Sequence, residues 1–395
     1  MNKKNLKDFD YSGKKVLVRC DFNVPIKNGE ITNDKRIKES LPTIKHLIDQ
    51  NAKVILMSHL GRPKGKPNKE FSLEPVAKRL EELLDKKVLF LDDDKVVSEE
   101  TKSKVEELKD GEVALLQNTR YVEGEEKNDE AFSKELSSLG QYYVNDAFGT
   151  SHRAHASNVG LASNLPSAVG FLVEKEIDIM GKAIEDPERP FVAILGGAKV
   201  SDKIGVIENL LELVDKIVIV GAMANTFLKA EGKEVGKSLV EDDKLDLAKE
   251  LINSAKEKDI NLILPVDVIV ADDIEAVDSS EVVNVDSIPN DKMAVDIGEK
   301  SIEIIGKELE NAKTVVWNGP AGVFEVEKFA NGTFEIAKIL SELDATTIIG
   351  GGDSASAIEK AGLSDKITHV STGGGASLEL LEGKELPGIK CIEDK

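Results

Sequence analysis

The sequence predicts an α/β protein of two domains, each a parallel sheet flanked by helices, joined by a connecting helix. The chain has 395 residues, which is more than one ordinary hydrophobic core needs and suits two domains. Short apolar runs alternate with segments of helical period, a rhythm typical of parallel sheets. All seven arginines precede Pro190, whereas the glycine-rich strand ends cluster after it, so the two domains carry different chemistry.

The composition excludes several classes of function. A net charge of −21 argues against nucleic acid or an anionic membrane surface as a partner, because both require a basic face. The two cysteines, Cys20 and Cys391, indicate a reducing compartment without a disulfide framework. The sequence shows no signal-peptide core and no apolar run long enough to span a bilayer, so we expect a cytoplasmic protein.

The first half of the chain predicts a parallel sheet with helical crossovers. Its strands are predicted at residues 16–18, 54–57, 88–90, 113–116 and 142–144. A helix is predicted from the spacing of Ile37, Leu41, Ile44 and Ile48, with Pro42 placing its first turn close by. In such sheets ligands bind beyond the carboxyl ends of the strands.

Polar and basic residues follow these strands, at the edge where a ligand would bind. They are Asp21 and Asn23 after the first, His59 and Arg62 after the second, Arg120 after the fourth, and His152, Arg153 and His155 after the fifth, with Arg36 opening the first helix. The arginine fork matches carboxylate and phosphate groups in a bidentate way. A single arginine is usually a solvated surface charge, but this repeated placement predicts a small ligand with more than one anionic group.

The second half begins after a connecting helix and repeats the strand–helix rhythm. Val173, Ile177 and Ile184 follow a helical period, and Pro187 and Pro190 end that helix. Strands are predicted at residues 191–195, 217–220, 262–265, 314–317, 346–349 and 367–370. Several of these strands end in glycine runs.

Glycine at a strand end lets the backbone approach a ligand, and a following helix N-terminus is a natural phosphate site. The longest runs lie at residues 350–352 and 373–375. Lys199 and Lys203 add positive charge, and Asp353 lies where a carboxylate could hold a phosphate-bound Mg²⁺. The alternative is that these glycines only form tight turns.

Two familiar nucleotide-binding patterns are not met. The stretch from Gly232 to Ser238 has three residues between its glycines where a Walker A loop needs four. The G-x-G-x-x-G pattern fails because Ala355 and Leu378 occupy the last glycine position of its two candidates. A nicotinamide-dependent dehydrogenase is therefore poorly supported.

With these residues in place, nearly the whole chain resembles the phosphoglycerate kinase family. The motifs that carry the resemblance are VRCDFNVP, SHLGRP, DAFGTSHRAHAS, LGGAKVSDKI, WNGPAGVFE, GGGDSAS and STGGGASLELLEGK. The resemblance implies two Rossmann-like domains with a hinge, and phosphoryl transfer from 1,3-bisphosphoglycerate to ADP, giving 3-phosphoglycerate and ATP. It also implies Mg²⁺ bound as Mg-ADP or Mg-ATP, small-molecule substrates as the only partners, and a monomer.

The resemblance further implies a division of the chain. Residues 1–170 would form the phosphoglycerate-binding domain, with the tail 378–395 packing back on it. Residues 171–190 would form the connecting helix, and residues 191–377 the nucleotide-binding domain.

The resemblance also implies roles for individual residues. The implied phosphoglycerate site consists of Asp21, Asn23, Arg36, His59, Leu60, Gly61, Arg62, Arg120 and Arg153, and His155 matches the basic patch of the family. The implied nucleotide site consists of Lys203, Gly298, Glu325, Gly351, Gly352, Asp353 and Ser354, with Asp353 toward the metal. The implied catalytic groups are Arg36, Lys199 and the backbone N–H of Gly374.

Three positions depart from the family pattern. Gln117 stands where Glu is usual, Val220-Gly221-Ala222 replaces a glycine triplet, and Glu299 stands where Pro is frequent. Two alternatives stay open: a two-domain kinase acting on another acid, which a coupled assay with other acids would reveal, and a catalytically silent binding protein. Loss of Lys199, Arg36 or Asp353 would have favoured the second, and all three are present.

Overall fold

The computed structural model describes residues 2–395, and these form two compact units. The first unit runs up to Asp178 and includes Glu385–Lys395, and the second is Ile179–Lys384. Each unit contains its own six-stranded sheet and its own hydrophobic core.

The first unit is a parallel α/β sheet with a small hairpin. Its elements are β1 (Lys15–Cys20), β2 (Ile26–Lys27), β3 (Glu30–Ile31), α1 (Lys35–Asp49), β4 (Lys53–Met57), α2 (Glu74–Leu84), β5 (Val88–Leu91), α3 (Glu99–Glu106), β6 (Val113–Leu116), α4 (Glu130–Ser137), β7 (Tyr142–Asp146), β8 (Ser167–Val169) and the start of α5 (Phe171–Glu185). The strand order is β5-β6-β4-β1-β7-β8, and every neighbouring pair is parallel. All carboxyl ends therefore meet at one edge, as the sequence predicts.

The helix after β1 differs from the prediction at Pro42. The structure has one helix of 15 residues with Pro42 in its interior, not in its first turn. An interior proline costs about 3 kcal/mol relative to alanine. The buried side chains of Ile37, Ile44 and Leu47 offset this, because each fully buried apolar side chain contributes about 1.5–3 kcal/mol.

The connecting helix α5 begins directly beside the first sheet. The backbone N–H of Phe171 donates to Thr43 Oγ1 at 2.9 Å, and that of Leu172 donates to Asp146 Oδ1 at 2.9 Å. These side chains satisfy N–H groups that lack an acceptor at a helix start. The helix ends at Glu185, just before the two prolines, as predicted.

The second unit repeats the parallel architecture and adds a small sheet. Its elements are β9 (Phe191–Leu195), α6 (Ile204–Leu210), β10 (Lys216–Ile219), α7 (Met223–Ala230), α8 (Leu245–Glu257), β11 (Asn261–Ile263), β12 (Asp267–Ala271), β13 (Glu281–Asn284), β14 (Met293–Ile297), α9 (Glu299–Leu309), β15 (Thr314–Asn318), α10 (Asn331–Glu342), β16 (Thr346–Gly350), α11 (Gly352–Lys360), β17 (His369–Val370) and α12 (Gly374–Leu381). The parallel strand order is β11-β10-β9-β15-β16-β17. The parallel sheets and flanking helices of the predicted fold class are confirmed.

The small antiparallel sheet, ordered β13-β12-β14, was not predicted from the sequence. Its outer strand β13 is mostly exposed, and Val282 at its centre is 60% exposed. The outer strand has no continuous apolar run, whereas the run of residues 268–271 in β12 is apolar and was not assigned to a strand.

The last residues of the chain pack within the first unit. Helix α13 (Pro387–Lys390) lies beside β7, where Asn145 Nδ2 donates to the carbonyl oxygen of Gly388 at 2.7 Å. Asp394 forms an ion pair of 2.8 Å with Lys3. Among residues 2–395, no helix is long and apolar enough to cross a membrane.

Candidate active site

The carboxyl edge of the first sheet brings several predicted site residues into one hydrogen-bonded chain. Arg36, in the first turn of α1, donates from Nη1 to Asp21 Oδ1 at 3.2 Å and to the carbonyl oxygen of Asn23 at 3.0 Å. Asn23 Oδ1 accepts from the backbone N–H of Gly61 at 2.9 Å. The carbonyl oxygen of Gly61 accepts from Arg120 Nη1 at 3.0 Å. Three different strand ends thus hold two arginines in fixed positions.

His59 presents a neutral N–H group at this edge. Its Nδ1 lies 3.0 Å from Arg19 Nη2, and a guanidinium can only donate, so Nδ1 is the acceptor. The ring proton is therefore on Nε2. Burial, aided by the charges of Arg19 and Arg120, holds the pKa of His59 well below its usual range. His59 can thus donate a hydrogen bond to an anion without changing its charge near neutral pH.

Arg19 is a site residue that the sequence analysis did not single out. It is 1% exposed, and its Nε donates to Ser157 Oγ at 2.8 Å. Ser157 in turn donates from its backbone N–H and its hydroxyl to the fully buried Glu125, at 3.0 and 2.5 Å. Burial raises the pKa of Glu125, whereas Arg19 lowers it. The buried Arg19 is thus linked through Ser157 to the buried carboxyl group of Glu125.

The remaining predicted residues of this edge differ in exposure. Arg62 and Arg153 are exposed, and Arg153 Nε donates to His152 Nε2 at 3.2 Å. The carbonyl oxygen of Leu60 accepts from Asn118 Nδ2 at 2.7 Å, which fixes the loop after β4. His155 is buried, and burial lowers its pKa to about 3, so it is neutral at physiological pH.

Gln117, the first departure from the family pattern, is a buried structural residue. Its Oε1 accepts from the backbone N–H groups of Leu73 and Asn118, at 3.0 and 2.8 Å. Its Nε2 donates to Asp92 Oδ1 at 2.9 Å and to Ser72 Oγ at 3.1 Å. Because both backbone groups are donors, the orientation of the amide is fixed, and its Nε2 faces the exposed carboxylate of Asp92.

Gln117→Glu should therefore destabilise the fold by about 1–3 kcal/mol, the usual effect of leaving a buried polar group without its partner. The new carboxylate would face Asp92, which raises the pKa of the pair in the folded state. Protonation of the pair at low pH relieves the repulsion between the two carboxylates, and this relief is lost as pH rises. The loss of unfolding free energy relative to wild type should therefore be larger at about pH 8 than at about pH 5. Urea denaturation at both values measures it. Adding Asp92→Asn should restore most of the loss, and an equal deficit in the double variant would contradict this explanation.

The carboxyl edge of the second sheet offers two helix N-termini side by side. Helix α11 follows Gly351, whose φ of +90° favours glycine, and α12 begins at Gly374. A side chain at Gly374 would come within 3.3 Å of the backbone nitrogen of Gly352. Free N–H groups and two positive dipole ends thus converge, which is a typical arrangement for binding phosphate. Ser354 is buried and accepts the backbone N–H of Gly319 at 2.6 Å.

The two predicted lysines have different surroundings. Lys203 donates to Asn318 Oδ1 at the end of β15, and burial lowers its pKa to about 8. Lys199 is exposed and follows the Gly196-Gly197 pair at the end of β9. One lysine is therefore fixed at the sheet edge, and the other is free to follow a ligand.

A cavity of about 310 Å³ opens beside these glycine-rich strand ends. Its polar lining includes Glu325, Asp353 and Asp296. Its apolar lining includes Ala222, Leu228, Leu239, Pro265, Val268, Ile274, Met293 and Val323. An apolar cavity with a few polar groups suits a flat organic ring attached to an anionic chain.

The other two departures from the family pattern, at Ala222 and Glu299, are compatible with the backbone of the second unit. Ala222 has φ −64° and ψ −26°, a helical conformation that does not require glycine, and its methyl group lines the cavity. Glu299 is the first residue of α9, where an acidic side chain interacts favourably with the positive end of the helix dipole. Gly298 is the N-cap of that helix, and a side chain there would lie 2.3 Å from Asp267 Oδ2.

The acidic groups of the cavity suit a cation that arrives with its ligand. Asp353 is exposed in the first turn of α11. No group of three His, Cys, Asp or Glu side chains able to hold a metal ion occurs within residues 2–395. Mg²⁺ is typically held by one or two carboxylates together with substrate phosphates and water, and Asp353 fits that type of site.

Fold and site together define a class of protein. An arginine-rich edge suited to a small anion and a glycine-rich edge suited to phosphate groups, on two parallel sheets, are the parts of an α/β kinase. Comparison with known proteins identifies the kind of kinase.

The family model described as phosphoglycerate kinase matches residues 6–384. A phosphoglycerate kinase from Finegoldia magna is 63% identical over 395 residues, covering 100% of both chains. One from Clostridium botulinum is 59% identical over 396 residues, covering 100% of this chain and 99% of the other. The solved phosphoglycerate kinase of Coxiella burnetii has a TM-score of 0.90 and 43% identity, covering 98% of each chain. That of Pyrococcus horikoshii has a TM-score of 0.85 and 36% identity at the same coverage. The chain belongs to the phosphoglycerate kinase family.

Proposed function

We propose that the protein transfers a phosphoryl group reversibly from 1,3-bisphosphoglycerate to ADP, giving 3-phosphoglycerate and ATP. The observation that carries this proposal is the division of chemistry between the units. The arginine chain of the first unit matches a ligand with a carboxylate and a phosphate, whereas the helix N-termini and cavity of the second match a nucleotide.

The proposal assigns each residue a role by chemistry. Residues 1–170 would be the phosphoglycerate-binding domain, with the tail 378–395 packing back on it, residues 171–190 the connecting helix, and residues 191–377 the nucleotide-binding domain. Asp21, Asn23, Arg36, His59, Leu60, Gly61, Arg62, Arg120 and Arg153 would bind phosphoglycerate. Lys203, Gly298, Glu325, Gly351, Gly352, Asp353 and Ser354 would bind the nucleotide. Arg36, Lys199 and the Gly374 N–H would stabilise the phosphoryl group in flight.

For this phosphoryl transfer the protein needs to supply mainly positive charge and the correct positions of the two substrates. An acyl phosphate and a nucleotide phosphate exchange without deprotonating an alcohol, so no general base is required. Positive charge must surround the equatorial oxygens while the attacking and leaving oxygens stay in line. Arg36 and Lys199 supply that charge from the two units, and the Gly374 N–H adds a backbone donor. Bound Mg²⁺, held by Asp353 directly or through water, would neutralise charge on the nucleotide phosphates.

The proposal extends to a monomer that acts in the cytoplasm. The support for this setting is the net charge of −21 and the two free cysteines, Cys20 and Cys391. Size-exclusion chromatography with light scattering tests the oligomeric state, and a mass of two chains would overturn that part.

Direct transfer requires the two ligands to meet in one reacting complex, although their sites are assigned to separate units. We expect the units to close fully only when both ligands are bound, since each ligand alone stabilises one half of the reacting complex. Small-angle scattering measures this as a radius of gyration. With 3-phosphoglycerate and Mg-ADP together, the radius should fall further than with either ligand alone. An equal decrease with one ligand would contradict the expectation.

Hydrogen exchange read by mass spectrometry tests the allocation of ligands to units. Under the proposal, 3-phosphoglycerate slows exchange at residues 59–62 and 119–121, and Mg-ADP slows it at residues 350–354 and 373–376. Inorganic phosphate at the same concentration is the control for a nonspecific anion effect. Protection of the glycine-rich segments by 3-phosphoglycerate alone would overturn the allocation.

A further inference from the structure

We propose that Asp296 is a positioning residue for nucleotide binding, because its buried carboxylate fixes the loop of residues 319–325 that carries Glu325. The inference rests on the proposed function, since it takes the cavity of the second unit as the nucleotide site. Asp296 is the penultimate residue of β14 and is 3% exposed. Buried carboxylates of this kind need hydrogen-bond donors, and the donors here identify what Asp296 holds.

Both carboxylate oxygens of Asp296 accept backbone N–H groups. Oδ1 accepts from Ile297 at 2.9 Å, and Oδ2 accepts from Gly332 at 2.8 Å. Gly332 lies in the first turn of α10, whose N-cap residue, Ala330, has no side-chain oxygen to offer. Asp296, which lies in the small antiparallel sheet, therefore provides the hydrogen-bond acceptor that the N-cap residue of α10 lacks.

The same carboxylate occupies the space between α10 and the 319–325 loop. A side chain at Gly322 would lie 2.5 Å from Asp296 Oδ1, and one at Gly332 would lie 2.4 Å from it. Both glycines thus leave room for the carboxylate. The helix also holds the loop directly, because Thr333 Oγ1 accepts the backbone N–H of Ala321 at 3.0 Å.

This loop connects to the glycine-rich strand ends. The carbonyl oxygen of Pro320 accepts the N–H of Gly197 at 3.1 Å, and that of Ala321 accepts the N–H of Gly221 at 3.1 Å. Pro320 to Val323 and Glu325 all line the 310 Å³ cavity, as does Asp296 itself. A shift of the loop would therefore move both Glu325 and one wall of the cavity.

A carboxylate is required rather than any polar group. Asparagine has a single side-chain oxygen, so it can accept only one of the two N–H groups and must turn an NH₂ toward the other. Burial raises the pKa of Asp296 to about 7, and the two hydrogen bonds oppose that rise. Asp296 lies in β14 and belongs to neither of the two helix N-termini assigned to phosphate, so its loss should affect binding of the nucleotide more than transfer.

Steady-state kinetics of the full-length protein test the proposal with Asp296→Asn. We expect the nucleotide KM to rise about tenfold, consistent with one broken buried hydrogen bond, while kcat and the 3-phosphoglycerate KM stay within about threefold. Asp215→Asn is the control for loss of a carboxylate that accepts a backbone N–H, although Asp215 is more exposed than Asp296 and also pairs with Arg189. Asp215 accepts the backbone N–H of Phe191 at 2.6 Å at the amino end of β9, far along the strand from the cavity. Its loss should lower stability without changing the nucleotide KM.

A second variant keeps the test decisive if Asp296→Asn folds poorly. Gly322→Ala places a methyl group against the carboxylate and should raise the nucleotide KM by about the same factor. In an Asp296→Ala background only the approach to the carbonyl oxygen of Val295, at 2.7 Å, remains, so the same substitution should have a clearly smaller effect. Unchanged nucleotide KM in both folded single variants, or additive effects in the double variant, would overturn the proposal. A wild-type protein without nucleotide-dependent turnover would instead overturn the proposed function.

Discussion

Lys199→Ala should lower kcat by about 10²–10³-fold, the usual effect of removing one preorganised donor to transition-state charge. Both KM values should change by less than about fivefold, because the interaction is stronger in the transition state than with bound substrates. Lys199 is exposed at the end of β9, beyond two glycines, so its ammonium has no structural partner to lose among the contacts of the described residues. Steady-state kinetics with both substrates varied measure the effect.

Two further lysine variants make this result specific. Lys203 is buried against Asn318, so Lys203→Ala should raise the nucleotide KM as well as lower kcat. Lys256 is an exposed residue of α8, and Lys256→Ala should leave all constants unchanged. Near-normal kcat in correctly folded Lys199→Ala would mean that Arg36 is the only side chain supplying transition-state charge.

Arg36→Ala is expected to lower kcat by a similar factor, through the site assigned to phosphoglycerate rather than the site assigned to the nucleotide. Asp21 and the carbonyl oxygen of Asn23 both accept from Nη1, which leaves the other guanidinium donors for a ligand. Their loss should lower kcat by about 10²–10³-fold and also raise the 3-phosphoglycerate KM. The nucleotide KM should stay nearly constant, because the nucleotide is assigned to the other unit.

Arg36→Lys separates charge from geometry. Lysine keeps the positive charge but lacks the planar fork, so it should recover only part of the lost activity. Arg79→Ala is the control within the same unit, because Arg79 forms partly exposed ion pairs with Asp34 and Glu82, and it should leave the kinetics unchanged. Full activity in Arg36→Lys would show that charge alone is needed at this position.

The sequence was sufficient for the features that repeat along the chain. Every predicted strand, from residues 16–18 to residues 367–370, overlaps a strand of one of the two parallel sheets. Arg36, Asp21 and Arg120 were expected at one edge because they follow strand ends, and they are joined there through Asn23 and Gly61. Periodicity and the rule for carboxyl ends carry such predictions, since both depend only on local pattern.

Features that depend on contacts distant in sequence could not be predicted in this way. Arg19 lies within β1 and reads as an ordinary strand residue, yet it fixes the tautomer of His59. Glu125 lies in a turn whose sequence does not distinguish it from a surface acid, and only the fold buries it completely. Asp296 serves a helix that begins 35 residues later. Its partner is a backbone N–H group, which leaves no signature in the sequence.

A coupled assay of the purified protein tests the central claim most directly. With 3-phosphoglycerate and Mg-ATP both present, formation of ADP should be followed by a coupled ADP-detecting assay, with hydroxylamine added to trap the acyl phosphate, because ADP is formed with any acid acceptor. Omission of the acid, the nucleotide or Mg²⁺ should each abolish the signal. Glycerate or acetate should not replace 3-phosphoglycerate, because neither offers both a carboxylate and a phosphate to the arginines at the carboxyl edge of the first sheet. Turnover with those acids at the same rate, or none with the full mixture, would contradict the account.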